Sequence, residues 1–129
     1  MADQQMLLSI VELGGYPDFS SLYRARGFDV QRVDSMRKAI KFLKKTQPSV
    51  IVAEFNFQSD FRDRTSSLES LMATVERMPN THVIVFYEQE QRDKLERLLA
   101  NAHIYATLPF PIEEQMIAGV IDRLVQEAA

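Results

Sequence analysis

The chain has 129 residues, of which 46% are hydrophobic and 26% are charged. This length and composition are those of one ordinary globular domain, and they exclude a disordered or fibrous chain. The absence of cysteine excludes a disulfide scaffold, a thiolate metal site and a cysteine nucleophile. The net charge of −3 argues against a dedicated nucleic-acid binder. Because the first residues lack a basic segment and no apolar run approaches the roughly 20 residues that cross a bilayer, we expect one cytoplasmic domain over residues 1–129.

Five apolar runs of strand length follow one another along the chain. They cover residues 6–11, 28–33, 50–53, 83–87 and 104–108. The first, third and fourth are almost wholly apolar, as expected of strands that helices cover on both faces. The second alternates between apolar and polar residues, which favours an edge strand.

A segment with helical signals follows each of these runs. Gly27 caps the end of the first helix, Asp34 or Ser35 caps the start of the second, and a capping box over 66–69 opens the third. Leu95, Leu98 and Leu99 mark the fourth helix. Pro111, Glu113 and Glu114 are typical of the first turn of the fifth. Strands that alternate with helices predict an α/β domain, a (βα)5 three-layer sandwich with a five-stranded parallel sheet. The polar segment 55–65 is long for a βα loop and follows the third strand at the edge where such sheets place their sites. Its role stays open between a lid, a docking peptide and a mobile loop.

Several short segments occur together in a familiar order. They are Gly-Phe-Asp-Val at 27–30, Ala-Ile at 39–40, and the runs 48–54, 82–87 and 102–110. Through them the chain resembles, over nearly its whole length, the receiver domain of bacterial two-component response regulators. The resemblance implies the flavodoxin-like form of the (βα)5 fold.

The resemblance also implies five chemical groups at the carboxyl ends of the strands. In the family, two acids after the first strand hold Mg²⁺ and an Asp at the end of the third strand accepts a phosphoryl group. A Thr or Ser that ends the fourth strand and a Lys before the Pro after the fifth strand contact the phosphoryl oxygens. Here Glu12 matches the first acid, whereas Leu13, Glu54, Tyr87 and Leu108 replace the second acid, the Asp, the Thr or Ser, and the Lys.

Each replacement weakens the chemistry of the family. Leu13 removes a magnesium ligand, and Leu108 removes the charge that would balance a phosphoryl group. Glu54 sets its carboxylate one methylene further out, although phosphoryl transfer depends on positioning. Tyr87 fills the space of a small hydroxyl. We therefore expect a degenerate pseudo-receiver with no catalytic residues and no cofactor, in which Mg²⁺ binding is disfavoured.

Several residues near the carboxyl ends of the strands allow more than one interpretation. Glu54 is either a built-in mimic of the phosphorylated state or a solvated acid at a strand end. Glu12 and Glu54 could instead share a cation or a proton. Tyr105 matches the aromatic switch position of the family, and is otherwise an ordinary half-exposed ring. Leu108-Pro109 matches a place where the family often has a cis peptide bond.

The region of the second helix is the most charged feature of the chain. Residues 31–45 contain Arg32, Arg37, Lys38, Lys41, Lys44 and Lys45, against Asp34 alone. This run is either a docking face for an acidic partner or phosphate backbone, or a solvated helix face. Interleaved aromatic residues for base stacking are absent, since Phe42 is the only ring there.

The sequence favours a non-enzymatic signalling domain that binds proteins without being phosphorylated. The expected surface, also used for a homodimer, is formed by helix 4, strand 5 and helix 5. It would include those of Leu95, Leu99, Tyr105, Met116 and Val120 that face outward. No membrane is expected as a partner, and nucleic acid is disfavoured. Two alternatives stay open: a receiver still phosphorylated on Glu54, Asp60 or Asp63, and a small flavodoxin-like cofactor-binding protein.

Overall fold

The structure, a computed structural model, describes residues 5–55, 67–100 and 103–128. Its strands are Gln5–Ile10 (β1), Phe28–Val33 (β2), Val50–Phe55 (β3), His82–Tyr87 (β4) and Ala106–Pro109 (β5). Its helices are Ser20–Ala25 (α1), Met36–Leu43 (α2), Ser67–Val75 (α3), Arg92–Leu99 (α4) and Glu114–Ala128 (α5), with a short 3-10 turn before α4. The predicted alternation of strands and helices is confirmed.

The five strands form one parallel sheet in the order β2-β1-β3-β4-β5. From β1 the chain moves outward to β2, then returns past β1 and builds the rest of the sheet in the other direction. The order therefore reverses between β1 and β3, and a crevice opens at the carboxyl ends of these two strands. The loop after β1 and the end of β3, where Glu54 lies, meet at this place.

The core lies on both faces of the sheet because successive strand residues point to opposite sides. One cluster joins α2, α3 and Leu95 of α4 to strand residues such as Ile51 and Val85. The other cluster joins α1 and α5 to Val52, Ile84 and their neighbours. Central strands are buried on both sides, which explains their continuous apolar sequence.

Two of the predicted helix ends have the expected geometry. Ser35 caps α2, its hydroxyl accepting a hydrogen bond from the Lys38 amide at 3.1 Å. Gly27 follows α1 with a φ of 93°, a backbone conformation that residues with a Cβ rarely adopt. Ser66 of the predicted capping box lies outside the described residues, as does the segment 56–66 that holds most of the long loop.

The fifth βα unit differs from its prediction. Helix α5 begins at Glu114 instead of Pro111, because the chain first buries Ile112, 4% exposed, and the Glu113 carbonyl accepts the first helical hydrogen bond, from Met116. The cis peptide bond among the described residues lies at Phe110-Pro111, and not at Leu108-Pro109, the place where the family often has one.

Candidate functional site

The carboxylate of Glu54 lies at the centre of the crevice. Glu54 is the penultimate residue of β3, and only 1% of its surface is exposed. The interpretation of Glu54 as a solvated acid is therefore wrong. A buried carboxylate has to be hydrogen-bonded to offset the loss of water.

The loop between β1 and α1 supplies these hydrogen bonds. The Leu13 amide donates to Oε1 of Glu54 at 2.9 Å. The amides of Glu12 and Gly14 each donate to Oε2 at 3.2 Å, and the Tyr16 hydroxyl donates to the same oxygen at 2.7 Å. Both carboxylate oxygens are thus held by donors from one short segment.

Two consecutive glycines give the loop this shape. Gly14 and Gly15 have φ angles of 74° and 87°, a region that favours glycine. Consecutive backbone amides that point to one centre form an anion-binding concavity. In this protein the anion is the chain's own side chain, so we call residues 12–16 together with the Glu54 carboxylate the internal anion site.

Tyr16 completes the internal anion site and was missed by the sequence analysis. Its ring packs edge-on against Phe86 with centroids 4.9 Å apart, and it also contacts Phe19 and Phe110. Burial first, and then the hydrogen bond to Glu54, raise the pKa of the Tyr16 hydroxyl far above its usual range. The hydroxyl therefore remains a neutral donor. The only sequence signal was a tyrosine directly after two glycines.

The next strands present an apolar wall to Glu54. Phe86 is the register partner of Glu54 in β4, and Leu108 is the partner of Phe86 in β5. Leu108 packs against the same core cluster as Phe86 and Tyr16. Where the family has a lysine directed at its acceptor, this chain has hydrocarbon.

Tyr87 does not join the site. It is 6% exposed and packs with Phe55 in the core cluster on the other face of the sheet, under α2 and α3. Register pairs Tyr87 with Phe55 and leaves Glu54 beside Phe86. The structure therefore brings Glu12, Leu13 and Glu54 together, places Leu108 two strands away on the same face, and leaves Tyr87 on the opposite face.

Leu13 and Glu54 bear on the expectation that Mg²⁺ binding is disfavoured at the crevice. Leu13 contributes its amide to Glu54 and directs its side chain outward, 73% exposed. In the described part of the chain, no three His, Cys, Asp or Glu residues cluster in a way that could hold a metal ion. Mg²⁺ prefers octahedral oxygen ligands, and the oxygens of Glu54 already accept amide and phenol protons.

The structure corrects part of the expected interaction surface. Leu95 and Val120 are 2% and 7% exposed, because both side chains belong to the core, so neither faces outward. Met116 and Tyr105 are partly buried, and the Tyr105 hydroxyl donates to Oε1 of Glu127 in α5 at 2.7 Å. The side chain of Leu99 lies outside the described residues. None of the described helices is long and apolar enough to span a membrane.

Comparison with known structures identifies the fold. The chain is similar to a response regulator receiver domain protein from Clostridium thermocellum, with a TM-score of 0.74, 14% identity and coverage of 96% of each chain. A response regulator receiver protein from Sinorhizobium medicae matches with a TM-score of 0.71, 17% identity and 96% coverage of each chain. The pilus assembly protein CpaE from Caulobacter crescentus matches with a TM-score of 0.63 and 14% identity, over 94% of this chain and 93% of that one.

These structures show that the chain has the flavodoxin-like fold of response regulator receiver domains. Neither a protein-family model nor a curated protein sequence matches it. The fold is thus shared with receiver domains at 14–17% sequence identity.

Proposed function

We propose that this chain is a receiver-like, non-enzymatic signalling domain of bacterial signal transduction that binds protein partners without being phosphorylated. The observation that carries the proposal is the internal anion site. The residue at the acceptor position is buried and hydrogen-bonded to four donors of the β1–α1 loop.

The geometry opposes phosphoryl transfer to Glu54. An attacking carboxylate oxygen needs a free lone pair and an in-line approach to phosphorus. Glu54 is 1% exposed, and three donors converge on its Oε2 alone. Hydrogen bonds to an ionised group contribute about 1.5–3 kcal/mol each, so freeing the carboxylate is costly. The hydrocarbon of Leu108 offers nothing to balance the added charge.

The same geometry supports a domain fixed in one state. In the family, as the resemblance implies, a phosphoryl group recruits groups around the acceptor. Here the longer carboxylate of Glu54 already binds the loop after β1. The loop is held whether or not a phosphodonor is present, and this supports the interpretation of Glu54 as a built-in substitute for the modification. Partner binding is then set by the surface of the domain.

An amide NMR titration tests this proposal. We expect the amides around Glu12, Leu13, Glu54 and Leu108 to keep their shifts when Mg²⁺ and then beryllofluoride, a stand-in for an acyl phosphate, are added. Shifts of these amides that also move Tyr105 would show that the site still switches and would overturn the proposal.

Intact-mass analysis after incubation with acetyl phosphate and Mg²⁺ separates the alternatives. We expect no labile adduct of about 80 Da, the mass of a phosphoryl group. The matched control is Glu54→Gln, which removes the carboxylate. An adduct present in the wild type and absent from this variant would establish Glu54 as an acceptor. An adduct that persists would point to Asp60 or Asp63, which lie outside the described residues.

A further inference from the structure

Helix α2 is anchored by one face and charged on the other. Met36, Ala39 and Leu43 are 7%, 0% and 4% exposed and pack into the core cluster with α3. These three contacts fix the rotation of the helix about its axis. The opposite face is therefore held in one orientation toward solvent.

Part of the positive charge of this region is neutralised locally. Lys38 pairs with Asp34 at 2.8 Å, and Arg32 pairs with Asp18 at 3.4 Å. Four further cations are exposed and form no ion pair with any residue that the structure describes: Arg37, Lys41, Lys44 and Lys45. We call these four residues the basic stripe.

The basic stripe has a defined direction and length. Arg37 and Lys41 lie at positions i and i+4 of α2, and Lys44, the C-cap, continues the same side in αR conformation. Lys45 follows in the turn after the helix. From Arg37 to Lys44 the helical backbone rises about 10 Å at 1.5 Å per residue. A partner helix with acidic residues at the same spacing could place a carboxylate near Arg37, Lys41 and Lys44.

A pocket of about 480 Å³ lies beside the start of α2. Val11 and Val33 provide its apolar part, and Arg32, Asp34 and Lys38 are among its other lining residues. Lys38 thus belongs both to the pocket and to the helix that carries the basic stripe. The pocket could take one aliphatic side chain from a segment that lies along α2.

We propose that the basic stripe and the adjacent pocket dock an acidic helical segment of a protein partner, with its carboxylates on the stripe and one aliphatic side chain between Val11 and Val33. The inference rests on the proposed function and names the partner class. Charge complementarity selects the occupant: the stripe is a cationic surface on a chain whose net charge is −3. A long polyanion such as duplex DNA would also contact residues outside 31–45, whose net charge is negative and repels it. A short acidic segment would contact the basic stripe alone.

The test uses two synthetic peptides and measures binding by amide NMR and fluorescence anisotropy at low salt. The probe is an alanine-based helix with Glu at i, i+4 and i+7 and a Leu beyond one end. The second peptide has the same composition, with its Glu residues distributed around the helix. We expect the first peptide to bind at least about fivefold more tightly and to shift the amides of α2 and Val33, because its charges match the stripe.

Matched charge reversals on the protein complete the test. We expect Lys41→Glu with Lys44→Glu to weaken binding by at least about tenfold. The control, Arg97→Glu with Arg123→Glu, makes the same change in net charge at exposed positions of α4 and α5 and should weaken binding less than about twofold. Equal losses in both variants would show general attraction and overturn the inference.

Three other outcomes would also overturn the inference: no shift of α2 amides, equal binding of the two peptides, or tighter binding of a 20-base-pair DNA duplex or of phosphatidylserine vesicles than of the probe. These failures are distinguishable from failure of the proposed function. If the protein does not bind the probe and is not modified by acetyl phosphate, only the inference of an acidic partner is contradicted. If acetyl phosphate modifies the protein, the proposed function is contradicted, whatever the peptides show.

Discussion

The charge of Glu54 matters to the fold because four donors converge on it. In Glu54→Gln the side chain keeps its size, but an NH2 group replaces one oxygen and faces donors. We expect this variant to lose about 2–4 kcal/mol of unfolding free energy, the range for removing charge-assisted hydrogen bonds and leaving donors unsatisfied. Urea denaturation measures the loss. Glu88→Gln, at an exposed position just after β4, is the control and should stay within about 0.5 kcal/mol. Equal stability of both variants would contradict the internal anion site.

Tyr16 gives the same site a dependence on pH. Burial and the bond to Glu54 raise the pKa of its hydroxyl, so the folded chain keeps a proton that the unfolded chain releases above about pH 10. The stabilisation by Tyr16 is therefore complete at neutral pH and declines as pH rises beyond that value. We expect Tyr16→Phe to be less stable than wild type at pH 7 and the difference to shrink between pH 9 and 11. Burial also raises the pKa of Tyr23. Because Tyr23 is present in both proteins, its contribution to the pH dependence of stability cancels in the difference. A difference that is constant over this range would show that the Tyr16 hydroxyl is not the group that titrates.

At the scale of single elements, the loop after β1 depends on its glycine conformation. A Cβ added at Gly14 would lie 3.6 Å from Cγ1 of Val11, an ordinary contact, so the cost comes from the φ of 74°. We expect Gly14→Ala to lose about 1–2 kcal/mol of unfolding free energy. Gly119→Ala is the control, since position 119 is exposed on α5 and its Cβ would meet nothing within 4 Å. It should gain about 0.5–1 kcal/mol from helix propensity. Changes of the same sign in calorimetry would contradict the assigned loop conformation.

The elements also show where sequence reasoning succeeds and where it stops. Hydrophobic runs such as 50–53 and 83–87 predicted strands because burial on both faces requires continuous apolar sequence. The loop after β1 was harder, because hydrogen bonds from amides leave no trace in residue type. Only Gly14 and Gly15 signal its geometry, and the bond from Tyr16 to Glu54 joins residues 38 positions apart. Composition likewise could not show that Leu95 faces the core.

At the scale of the whole molecule, the sheet and the chemistry of its crevice are separable. The sheet order and most of both core clusters follow from residues outside the internal anion site, Tyr16 being the member of the site that packs on a core cluster. The crevice can therefore change in its polar groups without altering the architecture. The chain has the fold of receiver domains, and under the proposed function Glu54 fills the position of a modified acceptor. If so, the absence of phosphorylation that we propose depends on a few side chains.

Restoring the side chains of the family pattern tests that implication. We expect the variant Leu13→Asp, Glu54→Asp, Tyr87→Thr and Leu108→Lys to acquire, with acetyl phosphate and Mg²⁺, a labile adduct of about 80 Da. The shorter acid would leave the loop amides, and the new acid and lysine would supply the ligand and the charge. Because Tyr87 is 6% exposed, its truncation costs about 2–4 kcal/mol, so amide dispersion must first confirm folding. The matched control carries Glu54→Asn instead and should stay unmodified. A folded variant without an adduct would show that the backbone of the β1–α1 loop, rather than the four side chains, prevents phosphorylation.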